Sequence, residues 1–238
     1  MTERSQLGSW VRRFLLEHVI RERNLSKNTQ TSYRDALCLL LPFAAVRCRK
    51  TVDKLTIDDL SADCIRTFLT HLEDIRRCGV NTRNQRLAAI HALARFIGER
   101  NPEYVEWCSQ IRAVPFKRSG KASLPYLEKN ELDALLKAPR KNTAQGRRDY
   151  AILLFLYNSG ARASEAMHVK VTDLQQESVG TGFVKLHGKG GKVRFCPLWA
   201  KTMAELIPLT LNRPELDPLF LNCRGEPLTP HGQNTRKN

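Results

Sequence analysis

The 238 residues carry 39 Lys+Arg against 24 Asp+Glu, a formal net charge of +15, and such an excess favours a polyanionic partner, nucleic acid first. With 42% hydrophobic and 26% charged residues, no apolar run near the roughly 18 residues of a membrane helix and no secretory signal after Met1, the chain reads as globular, cytoplasmic and without a membrane partner. The seven cysteines (Cys38, Cys48, Cys64, Cys78, Cys108, Cys196, Cys223) are odd in number and never spaced CxxC, which argues against a disulfide framework or a zinc site and predicts reduced, mostly buried thiols.

Taken in chain order, residues 7–23 place Trp10, Val11, Phe14, Leu15 and Val19 at helical spacing, with Arg12, Arg13, Arg21 and Arg23 elsewhere on the wheel. Ser26-Lys27-Asn28-Thr29 supplies a cap for a second helix over 30–46 with Tyr33, Leu37, Leu40 and Leu41 as core candidates. A third helix starts at Asp58 or Ser61 and runs through Ile65, Phe68, Leu69 and Leu72. A fourth, over 83–100, carries Leu87, Ile90, Leu93, Ala94 and Ile97. Four helices make a helical domain over residues 1–112. Residues 113–126, with Pro115, Lys117, Arg118, Gly120, Lys121 and Pro125, have no periodicity and read as a basic linker able to lie along a phosphate backbone. The second domain, 127–238, begins with a short helix over 128–137. Residues 149–159 follow, so apolar that they predict a buried central helix ended by Gly160. A helix from about Ser164, strands over 183–187 and 193–198 joined by Gly188-Lys189-Gly190-Gly191-Lys192, and a helix over 200–206 complete the pattern. The basic excess is spread over both domains.

Two local patterns carry chemistry. Arg162 stands just after the glycine that closes the apolar helix and just before the next helix. A guanidinium fixed there presents a planar fork to two phosphate oxygens, and Glu165, three residues on, can orient it or cap the helix. Lys189 and Lys192 lie on the Gly-rich hairpin tip, where an ammonium can steady a strained phosphate or protonate a leaving oxygen. Such a tip is equally an ordinary solvated turn when it occurs alone.

In sequence, Asp149-Tyr150-Ala151-Ile152-Leu153 through Tyr157, Gly160-Ala161-Arg162-Ala163-Ser164-Glu165, and Lys189 in a hairpin ending Pro197-Leu198 resemble the first half of a tyrosine recombinase (phage integrase) catalytic domain. The runs 26–29 with Tyr33, and 81–87, are similar to the helical, SAM-like core-binding domain of the same family. The resemblance implies a mainly α fold with a small β-hairpin or sheet, clamped around double-stranded DNA, with other recombinase protomers as further partners. It implies Arg162 as the first catalytic arginine, Glu165 as its supporting acid and Lys189 as the lysine that protonates the leaving 5′ hydroxyl. It also implies a 3′-phosphotyrosyl link made without metal or nucleotide cofactor. The candidate DNA contacts are Lys27, Thr29, Arg83, Asn84 and Arg86 in the helical domain, Lys117, Arg118 and Lys121 in the linker, and Lys192 and Arg194 on the hairpin.

The sequence departs from the family downstream of the hairpin. No second basic box, His-x-x-Arg, follows it, and all five tyrosines (Tyr33, Tyr104, Tyr126, Tyr150, Tyr157) precede Arg162. His18-Val19-Ile20-Arg21 has the spacing in the wrong domain, and His231 precedes Arg236 by the wrong interval. The polar tail suggests a chain cut short or frameshifted near Gln233, with apolar surface exposed on 152–156. The expectation is a DNA-binding protein of the site-specific recombinase type that does not cleave DNA alone, or else a non-catalytic module that occupies recombination sites or joins an intact relative.

Overall fold

Leu7–Arg13 forms α1, which widens without a break into a π-helical stretch, Phe14–Glu22. The sequence explains the widening: Leu7, Trp10, Val11 and Phe14 are buried at α spacing, but the next buried residue is Val19, five positions on. A π turn keeps both on the core side. The computed structural model describes residues 6–120, 126–178 and 180–228; Lys121 and the tail from 229, with His231 and Arg236, lie outside them. Among the described residues helices account for 62%, beside one three-stranded antiparallel sheet. The chain divides into two units, Met1–Ser123 and Leu124–Asn238.

In the first unit, α2 (Lys27–Cys48) begins three residues before the apolar periodicity, because the Ser26 hydroxyl accepts the Thr29 N–H and starts the helix there. Ser61 likewise caps α3 (Ala62–Asp74). α4 (Val80–Arg100) lies at the centre, burying Leu87, Ile90, Leu93, Ala94, Phe96 and Ile97. A fifth helix, α5 (Val105–Arg112), was not legible in the sequence, since Ile111 is its one buried residue. The Trp107 indole N–H, bonded to the Leu60 carbonyl at 2.9 Å, ties it to the domain. The core is aromatic where α1, α2 and α4 meet: Phe14 packs on Tyr33 and Phe96, and Trp10 sets its edge on Phe96.

The first residues read as linker belong to this unit. Val114 is buried, and Arg83 donates to the Pro115 carbonyl at 2.9 Å. Asn84 brackets Lys117, donating to its carbonyl at 2.7 Å and accepting its N–H at 3.1 Å.

In the second unit, α6 (Lys129–Lys137) precedes α7 (Ala144–Ser159), which starts five residues before the apolar run because Thr143 caps it through the Gly146 N–H. α7 is half-buried rather than enclosed. Tyr150, Ala151, Leu154 and Phe155 face the core, while Ile152, Leu153 and Leu156 are partly exposed and Tyr157 is exposed. After α8 (Ala163–Met167) come β1 (Leu174–Ser178), β2 (Thr181–His187) and β3 (Val193–Leu198), then α9 (Ala200–Leu206). β1 was missed because Gln175, Gln176, Glu177 and Ser178 give it no apolar alternation, and all four are exposed. Val184, Leu186 and Leu198 cover the sheet's inner face and join Ala151, Phe155, Met203, Leu206 and Phe220 in one core.

All seven cysteines are free thiols. Only Cys64 is buried, with its thiol pushed up to about 11 chiefly by that burial, whereas Cys38 and Cys223 are exposed. The expectation of mostly buried thiols is corrected: Cys48, Cys78, Cys108 and Cys196 are half-buried.

Candidate active site

The turn that carries Arg162 is stitched from both sides. Gly160 closes α7 in the left-handed region (φ +58°), where a side chain would be strained, and its N–H reaches the Leu156 carbonyl at 3.0 Å. The Ser159 hydroxyl donates to the Phe155 carbonyl at 2.7 Å and accepts the Ala161 N–H at 3.2 Å. The chain leaves this turn at Arg162, the residue that precedes the first turn of α8.

Glu165 performs both tasks open to it. One oxygen accepts the Arg162 backbone N–H at 3.0 Å, capping α8, and the other accepts the Arg162 guanidinium Nη1 at 2.8 Å. A third bond comes from β3, where Arg194 Nη2 donates at 2.8 Å. The carboxylate is 5% exposed, and the arginines are 74% and 42% exposed. These bonds, led by that from Arg194, lower the Glu165 carboxyl to about 2 against the cost of burial, and the same contact raises Arg194. One buried carboxylate thus fixes two guanidiniums from different elements, each with further N–H groups unspent.

The hairpin tip closes on the same carboxylate. Gly188 N–H bonds the Lys192 carbonyl at 2.7 Å, and Gly190 and Gly191 take φ of +76° and +74°, so the two glycines are needed for the turn itself. A side chain at Gly188 would begin 3.4 Å from Glu165 Oε1, so backbone and carboxylate approach closely here. Arg162, Glu165, Lys189, Lys192 and Arg194 line one depression of about 470 Å3. Neither lysine has a carboxylate partner among the described residues, and both are exposed. Four cations around one internally neutralised anion suit an oxyanion such as a phosphodiester: arginine forks held this way can take two of its oxygens, and a lysine at the rim can donate a proton.

Two neighbours were not anticipated. Asp173, buried, accepts the Lys170 N–H at 2.9 Å and faces His187 Nε2 at 3.4 Å. The pair anchors the β2 end that leads into the tip. No sequence signal marked it, since Asp173 and His187 are 14 residues apart and meet through the β1–β2 pairing.

The helical-unit candidates fare differently. Arg83 turns inward, 6% exposed, and spends Nη1 on Asn84 and the Pro115 carbonyl. Asn84 is engaged with the Lys117 backbone, and Lys117 Nζ pairs with Glu73 at 2.8 Å. Of these three only Arg83 is buried, while Asn84 and Lys117 are tied to their neighbours nearer the surface. Arg86 is half-buried and reaches the Ser32 carbonyl at 3.5 Å, Thr29 shares its hydroxyl with Ser26 at 3.0 Å, and Lys27 and Arg118 are exposed.

Residues 12–101 match the family model of the phage integrase N-terminal SAM-like domain, and residues 125–237 match that of the phage integrase family. The y4rC protein of Sinorhizobium fredii is 36% identical over 236 residues, covering 98% of this chain and 70% of that protein. The chain belongs to the phage integrase family of tyrosine recombinases. Tyrosine recombinase XerC of Pelobacter propionicus is 33% identical to this integrase-family chain over 91% of its length and 68% of the relative's. Among solved structures, the XerH site-specific recombinase bound to palindromic difH substrate in a post-cleavage complex aligns with TM-score 0.63 at 22% identity. That alignment covers 87% of this chain and 60% of XerH, so this chain spans less than two thirds of the recombinase it matches. The Tn1549 transposon integrase in complex with circular intermediate DNA aligns with TM-score 0.60 at 16% identity, over 92% of this chain and 73% of the integrase. At these identities the two structures bear on the fold.

Proposed function

We propose that this integrase-family chain binds double-stranded DNA in site-specific recombination or integration, gripping a phosphodiester in the depression between Arg162 and the β2–β3 hairpin. The observation that carries the reading is the convergence of Arg162, Arg194 and Lys189 on one groove around the buried Glu165. Arg162 and Arg194 orient the phosphate, Glu165 holds both, and Lys189 is placed to protonate a departing 5′ oxygen. The XerH relative in the fold comparison is a complex with its substrate DNA, which agrees with duplex DNA as the partner, and other recombinase protomers are the natural second one.

The 238 residues contain neither a tyrosine after Tyr157 nor a His-x-x-Arg beyond the hairpin. An attacking oxygen and a second arginine box are both required for phosphotyrosyl chemistry. On this reading these residues bind and position a phosphodiester, and the strand is cut only if those groups come from another polypeptide segment. A suicide-substrate assay with the 238-residue chain tests this: no SDS-resistant DNA adduct is expected, and one would overturn the non-cleaving assignment. Gel shift over a salt titration tests the binding, with affinity expected to fall steeply as salt rises. Indifference to duplex DNA at low salt would overturn the whole reading.

A further inference from the structure

The helical unit contains a second groove, of about 410 Å3, within the range of about 300–1,000 Å3 typical of small-molecule sites. Arg23, Arg95 and Arg112 line it, together with the rings of Tyr33, His91 and Phe116, and no Asp or Glu does. Among the described residues the arginines of this unit that pair with carboxylates are Arg13, Arg34, Arg47 and Arg100, and Arg23, Arg95 and Arg112 make no such pair. Arg95 and Arg112 also line a neighbouring depression of about 480 Å3 and form the ridge between the two. Glu99 lines that neighbouring depression, but no carboxylate lines the groove itself, so three exposed guanidiniums present a positive wall there that suits an anion.

The rings narrow the choice of anion. Phe116 is 52% exposed although apolar, and it meets His91 edge to face at 5.1 Å rather than stacking on it. Tyr33 is stacked on Phe14 along one face and is itself only half-buried. His91 Nε2 is buried without a hydrogen-bond partner. Burial lowers the ring's proton affinity, with the Ile111 and Val114 backbone opposing and Arg112 and Arg83 reinforcing, which leaves a neutral, apolar-sided wall. Aromatic faces next to guanidiniums form the combination that binds an unpaired nucleotide, base on ring and phosphate on arginine. Paired bases in a duplex keep their faces stacked on one another and cannot use such a wall.

We propose that this groove binds a single unpaired nucleotide unit, with the base against Phe116 and Tyr33 and the phosphate on Arg23, Arg95 and Arg112. The unit is supplied either by an extruded or single-stranded position in DNA or by a free nucleotide. The site is built from the helical unit alone and stands independently of the hairpin depression.

The test is fluorescence anisotropy of the full chain with a labelled single-stranded octanucleotide and, separately, a blunt duplex. The double variant Arg95→Gln, Arg112→Gln is expected to weaken single-strand binding tenfold or more, and Phe116→Leu at least threefold, each with a smaller effect on the duplex. All three positions are exposed, so folding is not at stake, and Lys137→Gln, an exposed cation of α6 outside both grooves, serves as the charge control that leaves single-strand binding unchanged. Competition with dAMP identifies the source: displacement of the octanucleotide points to a free nucleotide, and no displacement points to a strand. Unchanged single-strand binding in Phe116→Leu, equal losses for duplex and single strand, or displacement by inorganic phosphate as effective as by dAMP would each overturn the proposal.

Discussion

Replacing Glu165 by Gln removes one charge and leaves the shape, so it isolates what the shared carboxylate contributes. Its carboxyl lies at about 2 rather than 4.5, a difference equivalent to about 3 kcal/mol at about 1.4 kcal/mol per pH unit. Water reaches both guanidiniums and screens them, which brings the working figure to about 1–2 kcal/mol. Because the folded-state value is depressed, this contribution is complete above pH 4.5 and is lost as the pH falls from 4.5 toward 2. Urea unfolding followed by fluorescence reads it out, since Trp199 reports the second unit while Trp10 and Trp107 report the first. At pH 7 the Trp199 midpoint should drop by about 1 M, taking a slope of about 1–2 kcal/mol/M, and the deficit should shrink by more than half by about pH 3. A midpoint equal to that of the parent chain at neutral pH, or a deficit as large in acid, would refute the electrostatic account of Glu165.

Arg83→Met keeps the volume of a buried side chain but leaves the Pro115 carbonyl without its donor; a loss of about 1–3 kcal/mol is expected, with faster tryptic cleavage after Lys117 and Arg118. Unchanged cleavage would show that the segment is held by other contacts. Gly146→Ala puts a methyl 1.9 Å from the Arg140 carbonyl oxygen, so the first turn of α7 must shift. The Trp199 transition should move down by about 1–3 kcal/mol, and an unmoved transition would count against this packing. Phe155, fully buried against Phe220, should cost about 3–5 kcal/mol when cut to Ala. The Trp10 and Trp107 transition should stay where it is, because the two units have separate cores; a coupled shift would argue against that separation.

Most of the fold was legible because it rests on periodic apolar residues: α2, α3, α4 and α9 lie where Leu and Ile spacing puts them. The misses have physical causes. β1 carries no alternation since every side chain after Leu174 is exposed, and it exists because β2 offers it a hydrogen-bonding edge. α7 looked buried all round because composition gives apolarity but not which face is covered. Arg162, Glu165 and Lys189, named from their places in the motif, line one depression. Arg194 was read as a DNA contact with no link to Glu165, because that partner is 29 residues away and the two meet only once β3 is in register. Arg83, read as a DNA contact, is turned inward, because the chain beyond α5 folds back over it.

The sharing of Glu165 has a consequence in simple charge stoichiometry. Two guanidiniums and one carboxylate sum to +1, the complement of a phosphodiester's single negative charge, so on the proposed function a bound phosphate would complete an electroneutral quartet without expelling any member. Lys189 and Lys192 then remain in surplus at the rim, ready to offset whatever additional negative charge develops on phosphorus-bound oxygens as a bond is strained.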